Sequence, residues 1–146
     1  MTVPLYRVTL VREPGAVDAE VTPLRGSEDA AKVFRPLFVG LDREQFAVLL
    51  LDTKHRPLGL NVVSVGSLSL AIVHPREVFK PAILANSAAV IVGHNHPSGD
   101  PTPSSEDIEI TRRLRESGEL IGIRVLDSII LGRDPAFYSF ADAGHF

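Results

Sequence analysis

The chain has 146 residues, of which 45% are hydrophobic and 23% charged, and its net charge is −3. This length fits one domain over residues 1–146 with a substantial buried core, and the charge argues against a strong electrostatic grip on nucleic acid. The lack of cysteine excludes disulfides and thiolate metal sites, and no apolar run approaches the roughly 20 residues that a membrane helix needs.

Met1 to Arg7 lacks the charged-then-apolar layout of a signal peptide, so the expected setting is the cytoplasm. Leu5 to Val11 alternates, with Tyr6, Val8 and Leu10 on one side, which predicts a strand. Residues 13–26 read as a loop. Ser27 then has the features of a helix cap, followed by Ala30, Val33, Phe34 and Leu37 at helical spacing, and Pro36 should bend or end that helix. Two strands are expected at Phe46–Leu51 and Leu58–Val65, joined around Lys54-His55-Arg56-Pro57. Pro75 fits the first position of a second helix reaching about Asn86, with Pro81 as a kink inside it.

The apolar run Ala88 to Gly93 predicts a buried strand that ends just before His94. Pro97, Gly99, Pro101 and Pro103 then turn and restrict the chain. A helix is expected over Ser104–Ser117, closed by Gly118, followed by strands near Ile121–Leu126 and Ile129–Leu131 and a tail over Ala141–Phe146. Arg112, Arg113 and Arg115 share that helix with Glu109, Glu116 and Glu119, the mixed signs of a solvated face. The order of elements suits a sheet with helices on both faces, and such sheets build sites at strand ends beside helix N-termini.

The stretch from His94 to Asp107 carries the chemistry. In an extended segment, residues two apart point the same way, so His94 and His96 can aim at one point. With Asp107 in the first turn of the next helix, two imidazoles and a carboxylate form a three-ligand set with a fourth position open for water, the pattern of a catalytic zinc site. Ser104 and Asp107 equally fit a capping box, in which both side chains satisfy the free amides of the helix start. Capping accounts for neither His94 nor His96, and a serine can cap through one lone pair while still facing the site.

His-x-His, seven residues, Ser, two residues, Asp is the metal signature of the JAMM (MPN+) metallohydrolases, which this chain resembles without a gap. Leu51-Asp52-Thr53-Lys54, His74-Pro75-Arg76-Glu77, His94 to Gly99, Pro103-Ser104 and Arg124-Val125-Leu126-Asp127 narrow the resemblance to the bacterial RadC-like branch, from about residue 27 to the C-terminus. The resemblance implies a three-layer α/β/α sandwich with a mixed sheet, the JAB/MPN fold that is similar to that of the cytidine deaminases. It implies one zinc ion with a bound water, held by His94, His96 and Asp107. It further implies Glu44, which precedes Phe46 and an apolar strand, as the general base, and Ser104 as a donor to the oxyanion. Full-length RadC proteins carry an N-terminal helix-hairpin-helix region for which this chain has no room, and they have long been associated with DNA repair. The family usually reads Leu-Asp-His where this chain has Leu126-Asp127-Ser128.

An HNH nuclease reading of His94-Asn95-His96 fails because that motif scatters its residues along the chain. A zinc deaminase needs a Pro-Cys-x-x-Cys segment that a cysteine-free chain cannot supply. A metal-free interaction module of the RadC family is the serious alternative, although such modules usually lack a ligand and here all are present. The expected activity is therefore hydrolysis of an amide or isopeptide bond, with a peptide, an isopeptide or a small amide as substrate. His55, His74 and His145 receive no role. Duplex DNA should bind no tighter than the roughly 10⁻⁴–10⁻⁶ M of ordinary non-specific association at physiological salt; a salt titration that found submicromolar affinity, abolished by neutralising Arg112, Arg113 and Arg115, would contradict this.

Overall fold

The structure is a computed structural model that describes residues 1–15, 23–66 and 73–146. Helix α1 (Ser27–Phe38) precedes a hairpin of β1 (Gln45–Leu51) and β2 (Pro57–Val65). Helix α2 (Pro75–Leu84), β3 (Ala89–Asn95), α3 (Ser105–Ile121), β4 (Arg124–Leu131) and β5 (Phe137–Ser139) follow. The strands form one mixed sheet in the order β2-β1-β3-β4-β5, in which only β3 and β4 run parallel. The α/β fold expected from the sequence is the one observed.

The central strands are apolar on both faces because both faces are covered. Phe46, Val48, Leu50, Val90 and Val92 pack against Val78 and Phe79 of α2 and Ile110 and Leu114 of α3. Ala47, Leu49, Leu51 and Ile91 pack on the other face against Ala30 and Phe34 of α1. Phe34 lies so close to β3 that a Cβ at Gly93 would sit 2.9 Å from its ring.

Two of the motif segments have local structural work. Asp52 clamps the β1–β2 turn, accepting from the Lys54 and Arg56 amides and from the Arg56 guanidinium. His74 caps α2 through Nδ1, which accepts from the Arg76 amide at 3.0 Å, while Pro75 occupies the first helical position as expected.

Several boundaries differ from the sequence reading. Residues 5–11 form no strand and are exposed; alternation alone does not make a strand without a neighbour to pair with, and among the described residues none is there. Gly26, not Ser27, caps α1, and it offers no side-chain bond. The helix runs past Pro36 to Phe38, because a proline in the last turn forfeits only one bond. Helix α2 ends at Leu84, and Asn86 beyond it takes a left-handed conformation, φ 54°. Part of the expected 13–26 loop lies outside the described residues.

Strand β3 continues through His94 and Asn95 rather than stopping before them, and α3 continues past Gly118 to Ile121. Gly118 is an internal packing position, since a Cβ there would meet the Ile123 carbonyl at 2.5 Å. Gly122, at φ 85°, is the left-handed cap.

The two short strands expected around Asp127-Ser128 are one strand, β4. The polar pair stays inside it because each side chain is bonded. Asp127 accepts from the Ser139 hydroxyl at 2.6 Å, the Ala141 amide at 3.0 Å and the Ser128 amide at 2.7 Å, and Thr111 donates to Ser128 at 3.2 Å. These bonds hold β5, which the sequence did not reveal, and seat the C-terminal segment. That segment is packed, with Phe140 buried, Tyr138 bonded to His145 and Arg115 over the Phe146 ring. Asp127→Ala, which strips the acceptor from three buried donors, is expected to lower stability by about 2–4 kcal/mol. Asp127→Asn, which keeps one acceptor, should cost less; urea unfolding of the two variants measures the difference.

Candidate metal centre

The centre forms where β3 ends and α3 begins. Its first imidazole belongs to a buried strand. His94 is 2% exposed, and its ring stacks on Phe46, its antiparallel partner on β1, at a centroid distance of 5.7 Å. The chain then leaves the sheet, and His96 is set by the loop. Its Nδ1 donates to the Asp100 carbonyl at 2.8 Å, which fixes that proton and turns Nε2 inward toward His94 and Asp107. Asp100 is in turn held by Thr102, and Gly99 is tied back to His96 and across to Arg133.

Asp107 arrives from α3. The Ser104 amide donates to Asp107 Oδ2 at 2.8 Å, and the Asp107 amide donates to Ser104 Oγ at 3.0 Å, a complete capping box. The capping and metal readings of these residues are therefore both satisfied by one geometry. The cap orients a carboxylate whose Oδ1 lies 3.2 Å from His94 Nε2 and whose Oδ2 lies 3.1 Å from His96 Nε2. The two Nε2 atoms are 3.3 Å apart.

These distances test the fit of an ion. Ligands at about 2.0–2.1 Å around a tetrahedral zinc stand roughly 3.3 Å from one another. The pairwise contacts come close to that spacing, although His94 and His96 face different oxygens of Asp107; with one ligand atom from each residue, all three lie within 4.8 Å of one another and could hold a metal ion. Donors of this kind, two nitrogens and a carboxylate oxygen, suit zinc. His94 Nδ1 is buried and bonds to no described residue, so Nε2 is the nitrogen that the site uses.

The same contacts set the charges. Burial pushes the Asp107 carboxyl up, but the hydrogen bonds from His94 and His96 outweigh it and hold the group far below the usual carboxylate range. The Asp107 bond raises His96 in turn, against burial, with further support from the Asp100 carbonyl and the charge of Glu44. The N-terminus of α3 adds its dipole in favour of the anion.

Of the remaining predicted residues, Glu44 lies just before β1. The β1–β3 register ends at Phe46 and His94, two residues beyond Glu44, and the charge of Glu44 is felt at His96. Glu44 is half-buried, and its carboxylate makes no hydrogen bond with another described residue. Ser104 is exposed, and its hydroxyl oxygen accepts from Asp107 while its proton stays available to donate. A cavity of about 290 Å³ borders His96 and is lined also by Arg35, Phe38, Asn95 and Arg133. A cavity of about 330 Å³ between α3 and the C-terminal segment touches none of these site residues. Asn95, which the sequence reading passed over, is the further residue of interest; a polar side chain at the end of a buried strand is the signal that could have found it.

A mixed sheet flanked by helices, with two histidines from a strand end and an aspartate from the next helix start, defines an α/β domain with a group that could hold a metal ion. The sequence model of the RadC-like JAB domain matches residues 24–145. A UPF0758 protein of Desulfitobacterium hafniense is 49% identical over 136 residues, which cover 92% of this chain and 60% of that protein. UPF0758 proteins of Bacillus cereus and Geobacter sulfurreducens are 51% and 61% identical over 122 and 102 residues, covering 84% and 70% of this chain and 54% and 44% of theirs. The chain belongs to the RadC-like JAB domain family, and it spans about 60% or less of the length of these relatives. No helix among the described residues is long and apolar enough to cross a membrane.

The charge pattern has a pH signature. The depressed Asp107 stabilises the metal-free fold above the unfolded carboxylate value of about 4. The raised His96 stabilises it below the unfolded imidazole value of about 6.5, a contribution lost as pH rises through the folded value. Metal-free protein should therefore draw most stability from this cluster between about pH 4 and 6.5. Zinc needs neutral imidazoles, so the stabilisation it confers should grow over the range where that of the ion pair fades. Thermal melts at acidic and alkaline pH, with and without zinc, measure both trends.

Proposed function

We propose that this chain is a zinc-dependent hydrolase of amide or isopeptide bonds. The observation that carries the reading is the convergence of one ligand atom each from His94, His96 and Asp107 within 4.8 Å of one another, with the charge of Glu44 felt at His96. When bound, zinc supplies Lewis acidity that brings the pKa of a water toward about 7. Glu44 takes the proton of the attacking water and returns it to the leaving amine, work for which an unbonded, half-buried carboxylate is suited. The Ser104 hydroxyl, already aligned by its bond from the Asp107 amide, donates to the carbonyl oxygen as charge develops there. The substrate presents its carbonyl at the His96 side of the cluster, since the His96 side chain is 12% exposed while His94 and Asp107 are more nearly closed to solvent.

Purified protein is expected to take up one zinc per chain, and His96→Ala or Asp107→Ala to abolish uptake while leaving the fold intact. Elemental analysis showing no uptake by the unaltered protein would remove the enzyme reading and leave the interaction module. Glu44→Gln should keep the metal and lose about 10²–10⁴-fold in hydrolysis of any amide or isopeptide that the unaltered protein cleaves. Loss of zinc from Glu44→Gln would instead make Glu44 a ligand.

A further inference from the structure

Asn95 lies between the two candidate histidine ligands, yet strand alternation sends its side chain to the opposite face from His94. It is 6% exposed, and both of its polar groups are used. Its Oδ1 accepts from the Gln45 amide at 2.7 Å, and its Nδ2 donates to the Arg43 carbonyl at 3.1 Å. Those two backbone groups flank one residue, Glu44.

The backbone explains why a side chain is needed there. Phe46 and His94 are the last pair of the β1–β3 ladder. Beyond them β3 keeps only its pairing with β4, and the His96 amide donates to the Leu131 carbonyl at 2.8 Å. The segment carrying Glu44 keeps a bond on its β2 side, from the Gly66 amide to the Glu44 carbonyl at 2.7 Å, but has lost its backbone partner on the β3 side. The Asn95 amide fills the gap. It offers one acceptor and one donor at the spacing of a peptide group, which aspartate, lacking a donor, cannot reproduce.

We propose that Asn95 is the positioning residue for Glu44, extending the β1–β3 ladder with its side chain so that the Glu44 carboxylate is held against the metal centre. The inference rests on Glu44 acting as the base proposed above. It assigns Asn95 no contact with metal or substrate.

The test needs no substrate. In the cobalt-loaded full-length chain, visible absorption followed against pH gives a spectral midpoint that reports on the carboxylate beside the metal. Glu44→Gln should move this midpoint by about one unit or more. Asn95→Ala should move it in the same direction and add nothing in the Glu44→Gln background. Zinc affinity should stay within about threefold, and the Gln45 amide should exchange with solvent on the order of tenfold faster. Asn95→Asp, which keeps the acceptor for Gln45 and guards against loss of the fold, should give a smaller shift of the same sign.

If Glu44→Gln moves the midpoint while both Asn95 variants leave it in place, the positioning role is wrong and the proposed function stands. Equal shifts from Asn95→Ala in both backgrounds, or loss of zinc from it, also overturn the role, since Asn95 would then act on the ligands directly. A midpoint that ignores Glu44→Gln removes the base itself, and the positioning role with it.

Discussion

The site depends on a single carboxylate with two tasks. Asp107 closes the first turn of α3 by accepting the Ser104 amide, and it faces both imidazoles at 3.1–3.2 Å. Ordinarily a buried carboxylate between two rings would be free to choose rotamers, and three ligands would have to be frozen one by one. Here the cap freezes the carboxylate as a by-product of starting the helix. The entropy of ordering that side chain belongs to helix formation and not to metal capture.

The other two ligands borrow rigidity in different ways. His94 takes it from the sheet, being part of a strand buried on both faces with a phenylalanine stacked on its ring. His96 takes it from a loop bonded to itself and to β4. The result is three elements meeting at one point, each braced by its own kind of hydrogen bonding. This is the arrangement in which preorganised donors bind an ion with little reorganisation.

Much of this was legible because it is local. The hairpin between β1 and β2, the proline start of α2 and the spacing from His94 to Asp107 all follow from neighbours a few residues apart. What could not be read depended on partners far along the chain. Asp127 and Ser128 look like a break in a strand until Ser139, Ala141 and Thr111 supply their bonds. Gly118 looks like a helix end until Phe79 of α2 and Val125 of β4 pack over it, beside the Ile123 carbonyl. The alternation of residues 5–11 looks like a strand until the absence of a pairing edge among the described residues leaves it exposed. Glu44 could be chosen over other glutamates only by family resemblance, because its segment is tied to the end of β3 by bonds fifty residues apart and not by sequence spacing.

That difference in range divides the site into two units of unequal robustness. Eleven residues separate His96 from Asp107, whereas fifty separate Gln45 from Asn95. Closing the longer loop costs about 1 kcal/mol more chain entropy, and it also requires two strands to be in register. The candidate metal group is thus a short-range property of one continuous segment, while the proposed base depends on the pairing of distant strands. A fluctuation that unzips the end of β1 from β3 would release the Glu44 segment while leaving His94, His96 and Asp107 together.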